Sequence, residues 1–102
     1  MTIYQGDQYN IPITVSRNGT QQGTASVEKL EVILAGNRKE YPGEITVHGN
    51  EFCYPLTQEE TMKLDEDSYD LSVRILFKDD TVEGWQSAGS VNVRAIEGAE
   101  TL

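Results

Sequence analysis

Apolar and polar side chains alternate along most of this chain, and that spacing admits few folds, because residues two apart in an extended strand share one face of a sheet. Tyr9, Ile11, Ile13 and Val15 define one face against Asn10, Pro12, Thr14 and Ser16, and the run ends in the turn Arg17-Asn18-Gly19-Thr20. Pro12 has no N–H to give to a ladder, so its strand is expected to have a free edge or a local break. Leu30, Val32 and Leu34 repeat the pattern up to Gly36-Asn37. Residues 41–43 read as a proline turn, and Ile45 and Val47 form a short strand ending at Gly49-Asn50. Phe52, Tyr54 and Leu56 make a further face, with Cys53 and Pro55 on the opposite side and Pro55 closing the strand.

The longest run is Tyr69, Leu71, Val73, Ile75 and Phe77, which is expected to be the central strand. Lys78-Asp79-Asp80-Thr81 is then a hairpin turn, and the chain returns through residues 82–96 with a bulge near Gly84 or Gly89. Only residues 57–64 read as helical: Thr57 is an N-cap and Glu60, three residues on, completes a capping box. With a weak first strand at residues 2–5, the sequence predicts an all-β, immunoglobulin-like β-sandwich of about seven antiparallel strands with one short helical turn. A chain of 102 residues suits a single domain, set at residues 1–97, with residues 98–102 as a frayed C-terminal tail.

Charge and cysteine content narrow the function. Seventeen acidic residues against eight basic ones give a net charge of -9, which repels nucleic acid and anionic membranes. The single cysteine, Cys53, cannot close an internal disulfide, and the first residues carry neither a basic leader nor a long apolar stretch, so synthesis in the cytoplasm is expected. A strand this close to Met1 is expected to open a complete short reading frame.

No catalytic, cofactor or metal residues are assigned. The lone His48 and Cys53 flank the Gly49-Asn50 turn, but nothing in the sequence marks an oxyanion hole beside them. Asp65, Glu66, Asp67 and Asp70 stand near one end of the long strand and Asp79 and Asp80 at the other, about 30 Å apart at ~3.3 Å per residue, too far to share one calcium ion. Ile3 and Tyr4 in the first strand, Ile33 on the face opposite Leu30, Val32 and Leu34, and Trp85 beside the expected bulge are the candidate partner contacts.

Two stretches carry a resemblance. Leu64 to Val73, with Asp67 and Tyr69, resembles the corner before strand F of immunoglobulin-like domains, and the resemblance implies that the Tyr69 hydroxyl bonds back to nearby backbone. Leu71 stands where such domains place their second cysteine. The opening Ile-Tyr-Gln-Gly-Asp at positions 3–7, Ile11 to Val15, Asn18-Gly19, the Pro55 to Thr61 segment and the Phe77-Lys78-Asp79-Asp80 hairpin together resemble small virion-associated proteins of phages and prophages of Gram-positive bacteria. The opening is also similar to the N-terminal immunoglobulin-like domain of phage upper baseplate proteins. That resemblance implies a non-enzymatic assembly protein of a capsid, connector, tail or baseplate, built into a virion and contacting other virion proteins or copies of itself as a homo-oligomer. The alternative is an adhesin-like sandwich that binds carbohydrate or a receptor through exposed aromatics such as Trp85 and Tyr41.

Overall fold

In a computed structural model, residues 1–85 and 89–97 are described, Trp85 by its backbone alone. The expected tail at residues 98–102 lies outside the described residues. The described residues are mostly β, in several sheets with no barrel among them. Among the described residues eleven strand segments follow in order: β1 Thr2–Tyr4, β2 Tyr9–Ile13, β3 Val15–Arg17, β4 Thr20–Gln22, β5 Val27–Leu34, β6 Asn37–Tyr41, β7 Thr46–His48, β8 Glu51–Leu56, β9 Asp67–Phe77, β10 Val82–Trp85 and β11 Ser90–Arg94. One helix, α1 Gln58–Met62, sits between β8 and β9.

The largest sheet has the order β1-β11-β9-β5-β6, with β10 also on β9; β2-β8-β7 form a second sheet and β3-β4 a two-stranded ribbon. All three give apolar side chains to one buried cluster, including Ile11, Val15, Leu30, Val32, Phe52, Tyr54, Leu71, Val73, Ile75 and Phe77. The alternating faces of β2, β5 and β9 are thus the faces that go dry. As anticipated, β9 is central, paired with β5 on one side and with β10 and β11 on the other. Between Trp85↔Val73 and Ser90↔Asp70 the returning strand advances five residues while β9 advances three; Gly84 pairs in register with Arg74, and residues 86–88, before Gly89, lie outside the described residues.

Two short turns set the registers. Asn18 and Gly19 both have positive φ, 52° and 77°, the two-residue geometry whose twist matches paired strands. That turn makes β4, a strand the alternation did not reveal, pair with β3 through Arg17↔Thr20. Ala35 and Gly36 repeat the geometry at φ 50° and 81°, bringing β6 back along β5. The expected turn at residues 41–43 therefore begins one residue late, because Tyr41 ends β6 and packs edge-on against Phe52 with ring centroids 5.1 Å apart.

Thr57 caps α1 in the expected box: its hydroxyl accepts from the Glu60 N–H at 3.2 Å and the Glu60 carboxylate accepts from the Thr57 N–H at 2.9 Å. A helix this short is marginal alone. It is held by the N-terminal segment: Gln5 Nε2 donates to the Leu64 carbonyl at 2.7 Å, and the Gly6 N–H donates to the buried Thr61 hydroxyl at 3.0 Å, which donates in turn to the Asp7 carbonyl at 2.8 Å. Thr61→Val keeps the side-chain shape but leaves the buried Gly6 N–H without its acceptor, a cost of about 1–3 kcal/mol. Urea melts should show a lower midpoint at unchanged slope for Thr61→Val and a smaller shift for Thr61→Ser, which keeps the hydroxyl.

Candidate interaction surface

The residues singled out for partner contact do not share one surface. Ile3 is a correction: it is fully buried, because β1 pairs parallel with β11 in the same chain and sets Ile3 opposite Val93, inside the core. Tyr4, its neighbour, is exposed. Ile33 is half-buried on the outer face of the large sheet, in register with Ser72 and Arg38. The Trp85 backbone lies in β10 opposite Val73, and its side chain lies outside the description.

The corner residues lie together at the start of β9. The Tyr69 hydroxyl donates to the Asp65 carbonyl at 2.8 Å, Asp67 Oδ1 accepts from the Ser68 N–H, and Leu64 is buried in the core. Desolvation, then the charges of Asp65 and Asp67, raise the Tyr69 pKa, so the donor stays protonated. Cys53 alternates with Phe52 and Tyr54 along β8 and is buried, in the middle strand of the small sheet between Pro12 and Thr46. Burial and the nearby Glu51 charge push its thiol pKa up, away from a reactive thiolate. His48 is exposed and pairs with Glu51. Among the described residues no group of three His, Cys, Asp or Glu side chains is placed to hold a metal ion, and no helix is long and apolar enough to cross a membrane.

What the fold assembles instead is a shallow groove on the outer face of the large sheet. It holds about 200 Å³ and is lined by Lys29 and Glu31 of β5, Glu40 of β6, Arg74 and Leu76 of β9, and Val82 of β10. Register explains the set. Val82, Leu76 and Lys29 form one row across three strands, and Gly84, Arg74, Glu31 and Glu40 form the next. Gly84 presents no side chain beside Arg74, which keeps the groove open toward β10. Val82 is 57 % exposed although it sits beside Leu76, so an apolar pair remains at the surface next to alternating charges.

The edges of the sheets differ in how they are closed. β2 carries Pro12, and β7 has three residues. On β6 the Glu40 carbonyl already accepts from the N–H groups of Glu44 and Ile45, both at 3.0 Å. On β1 the Tyr4 N–H is taken by the Tyr9 hydroxyl and its carbonyl by the Asp7 N–H. β10 has no such closure among the described residues and pairs with β9 alone.

At one end of the molecule the β3-β4 ribbon, the Gly49-Asn50 turn and the β9-β10 turn are tied together. Arg17 meets Asp79 at 3.0 Å and lies over the Phe77 ring at 4.2 Å, Gln21 Nε2 donates to the Asn50 carbonyl at 3.3 Å, and the Lys78 N–H donates to the Ser26 carbonyl at 2.9 Å. This end is braced and polar. Neither the groove nor the open β10 edge was visible to sequence reasoning, which had only Ile33 on that face. Val82 opposite Leu76 in a hairpin register was the available signal. No protein-family model matches the chain, and no curated protein or solved structure matches it.

Proposed function

We propose that this protein is a non-enzymatic assembly component of a phage or prophage particle, an immunoglobulin-like sandwich that is made in the bacterial cytoplasm and enters the virion through protein contacts. The strand orders support the immunoglobulin-like part: β1-β11-β9-β5-β6 in one sheet and β2-β8-β7 in another follow the arrangement of variable-type domains, in which an extra strand joins the GFC sheet and B, E and D share the second. The bond from the Tyr69 hydroxyl, near the start of β9, back to the Asp65 carbonyl fits the same class. The resemblance of the opening Gln5-Gly6-Asp7 segment to phage baseplate domains supports the particle.

The observation that carries a contact function is Val82 with Leu76, apolar groups left at the surface of a chain whose core is filled without them. Exposed apolar groups rimmed by charge are where interfaces form. Mass spectrometry of gradient-purified particles tests the reading. The chain is expected at a fixed ratio to the other virion proteins, and its absence from intact particles would overturn the proposal.

A further inference from the structure

The geometry points to the open edge of β10 as the place where an extended segment of a partner protein, carrying a basic residue between two apolar ones, adds as a further strand. This inference rests on the reading of a protein that works by contact, and it names the contact. The Phe77 N–H bonds the Thr81 carbonyl and the Leu71 N–H bonds the Gly89 carbonyl, so the odd-numbered residues of this part of β9 face β10 and β11. Pairing of Ile75 with Glu83 and of Val73 with Trp85 then turns the N–H and C=O groups of Val82 and Gly84 the other way, outward. In the same line along the sheet, β1 fills the place beside β11, and Met1 N bonds the Ser90 carbonyl where β1 begins. Next to β10 that line is empty among the described residues. One part of the sheet has its outer strand and the adjoining part lacks it.

The side chains say what kind of strand fits. In an added antiparallel strand, the residues across from Val82 and Gly84 fall on the outer face, where the groove lies, and the residue between them falls across from Glu83 on the other face. Across from Val82, a β-branched residue meets Val82 and Leu76. Across from Gly84, which has no side chain of its own, a large ring lies against the stem of Arg74, whose Cγ stands 3.4 Å from where a Gly84 Cβ would be, and its face is offered to that cation. Opposite Glu83 the favourable partner is Lys or Arg. A second copy of this chain fits poorly, since pairing β10 with itself through both outward residues sets Glu83 against Glu83, and two chains of charge -9 repel. The occupant is thus a basic-centred strand from another protein, bound by main-chain hydrogen bonds with alternate side chains giving specificity.

The probe is the capped peptide acetyl-Thr-Phe-Lys-Val-Thr-amide, whose order places Phe across from Gly84, Lys across from Glu83 and Val across from Val82. Hydrogen exchange read by NMR on the full chain is expected to slow at the Val82 and Gly84 amides by about tenfold or more at saturation. The same peptide with Glu in place of Lys should bind about tenfold more weakly or worse. To remove affinity as an obstacle, the reversed order Val-Lys-Phe is joined through a short Gly-Ser linker ahead of Met1, where a parallel strand continues the line of β1 and its local concentration is about millimolar. Unchanged exchange at Val82 and Gly84 in the tethered chain overturns the proposal. So does equal binding of the Glu peptide, or a dimer by light scattering with both amides protected and no peptide present. Particle mass spectrometry is independent: a chain present in virions whose β10 edge binds nothing loses this inference alone, and a chain absent from virions that binds the peptide loses only the particle.

Discussion

Ile3→Ala is expected to lower the stability of the folded chain by about 2–5 kcal/mol, the cost of truncating a fully buried aliphatic side chain where the surroundings collapse only in part. Domains of this kind have about 5–15 kcal/mol in total, so the loss is a large fraction of the whole. The physical reason is the position of β1. It has three residues, and its ladder to β11 runs through Thr2↔Asn92, Ile3↔Val93 and Tyr4↔Arg94, with Ile3 the one side chain of the three that enters the core. Main-chain bonds on so short a strand are worth little without that anchor. A residue on a free surface would behave otherwise, since exposed substitutions away from special features change stability by about 0.5 kcal/mol or less. Urea unfolding followed by circular dichroism decides between the two, with a fall in midpoint at constant slope for Ile3→Ala, a smaller fall for Ile3→Val, and Tyr4→Ala close to the parent. An Ile3→Ala chain as stable as the parent would mean that β1 is not docked on β11 in solution.

That case shows where sequence reading reaches and where it stops. The alternating faces of β2, β5 and β9 were legible because a strand with one dry face records it in every second residue. Thr57 and Glu60 were legible because a capping box is a local bond between side chains and backbone three residues apart. β6 was not, because Asn37-Arg38-Lys39-Glu40-Tyr41 lies at an edge where one face meets solvent and the other closes the core through the stem of Lys39, whose Nζ sits 5.0 Å from the Tyr54 ring centre. The burial of Cys53 was not legible because alternation gives the face of a residue, whereas burial in the middle of a three-stranded sheet is set by the neighbours Pro12 and Thr46, far away in sequence. Ile3 was misplaced for the same reason, since its partner strand is some ninety residues away and runs parallel. The groove follows from the rows in which β5, β6, β9 and β10 pair, and those rows exist only once register is set.

Tyr54→Phe is expected to be less stable than the parent near neutral pH and more stable than the parent in strong alkali. Tyr54 is fully buried, and its hydroxyl donates to the Asn37 carbonyl at 2.7 Å, linking β8 to the first residue of β6. Removing one neutral hydrogen bond costs about 0.5–1.5 kcal/mol, so at about pH 8 the variant lies below the parent by that amount. Burial pushes the Tyr54 hydroxyl up to about 12 from 10.0, and the charges of Glu60 and Glu44 add to the shift. Because the folded value lies above the unfolded one, the contribution is whole below pH 10 and is lost as pH rises through 10 toward 12, where the unfolded chain releases the proton first. At about 1.4 kcal/mol per unit, two units remove about 2–3 kcal/mol from the parent, and phenylalanine has no proton to release. The difference between the two chains therefore falls through zero and reverses within that window. Tyr9 and Tyr69, whose pKa values are also raised, titrate in both chains and cancel in the difference. Denaturant melts of both proteins at stepped pH test this, and a difference that stays constant across the alkaline range would show that the Tyr54 hydroxyl ionises as it does in water and is not sealed between β8 and β6.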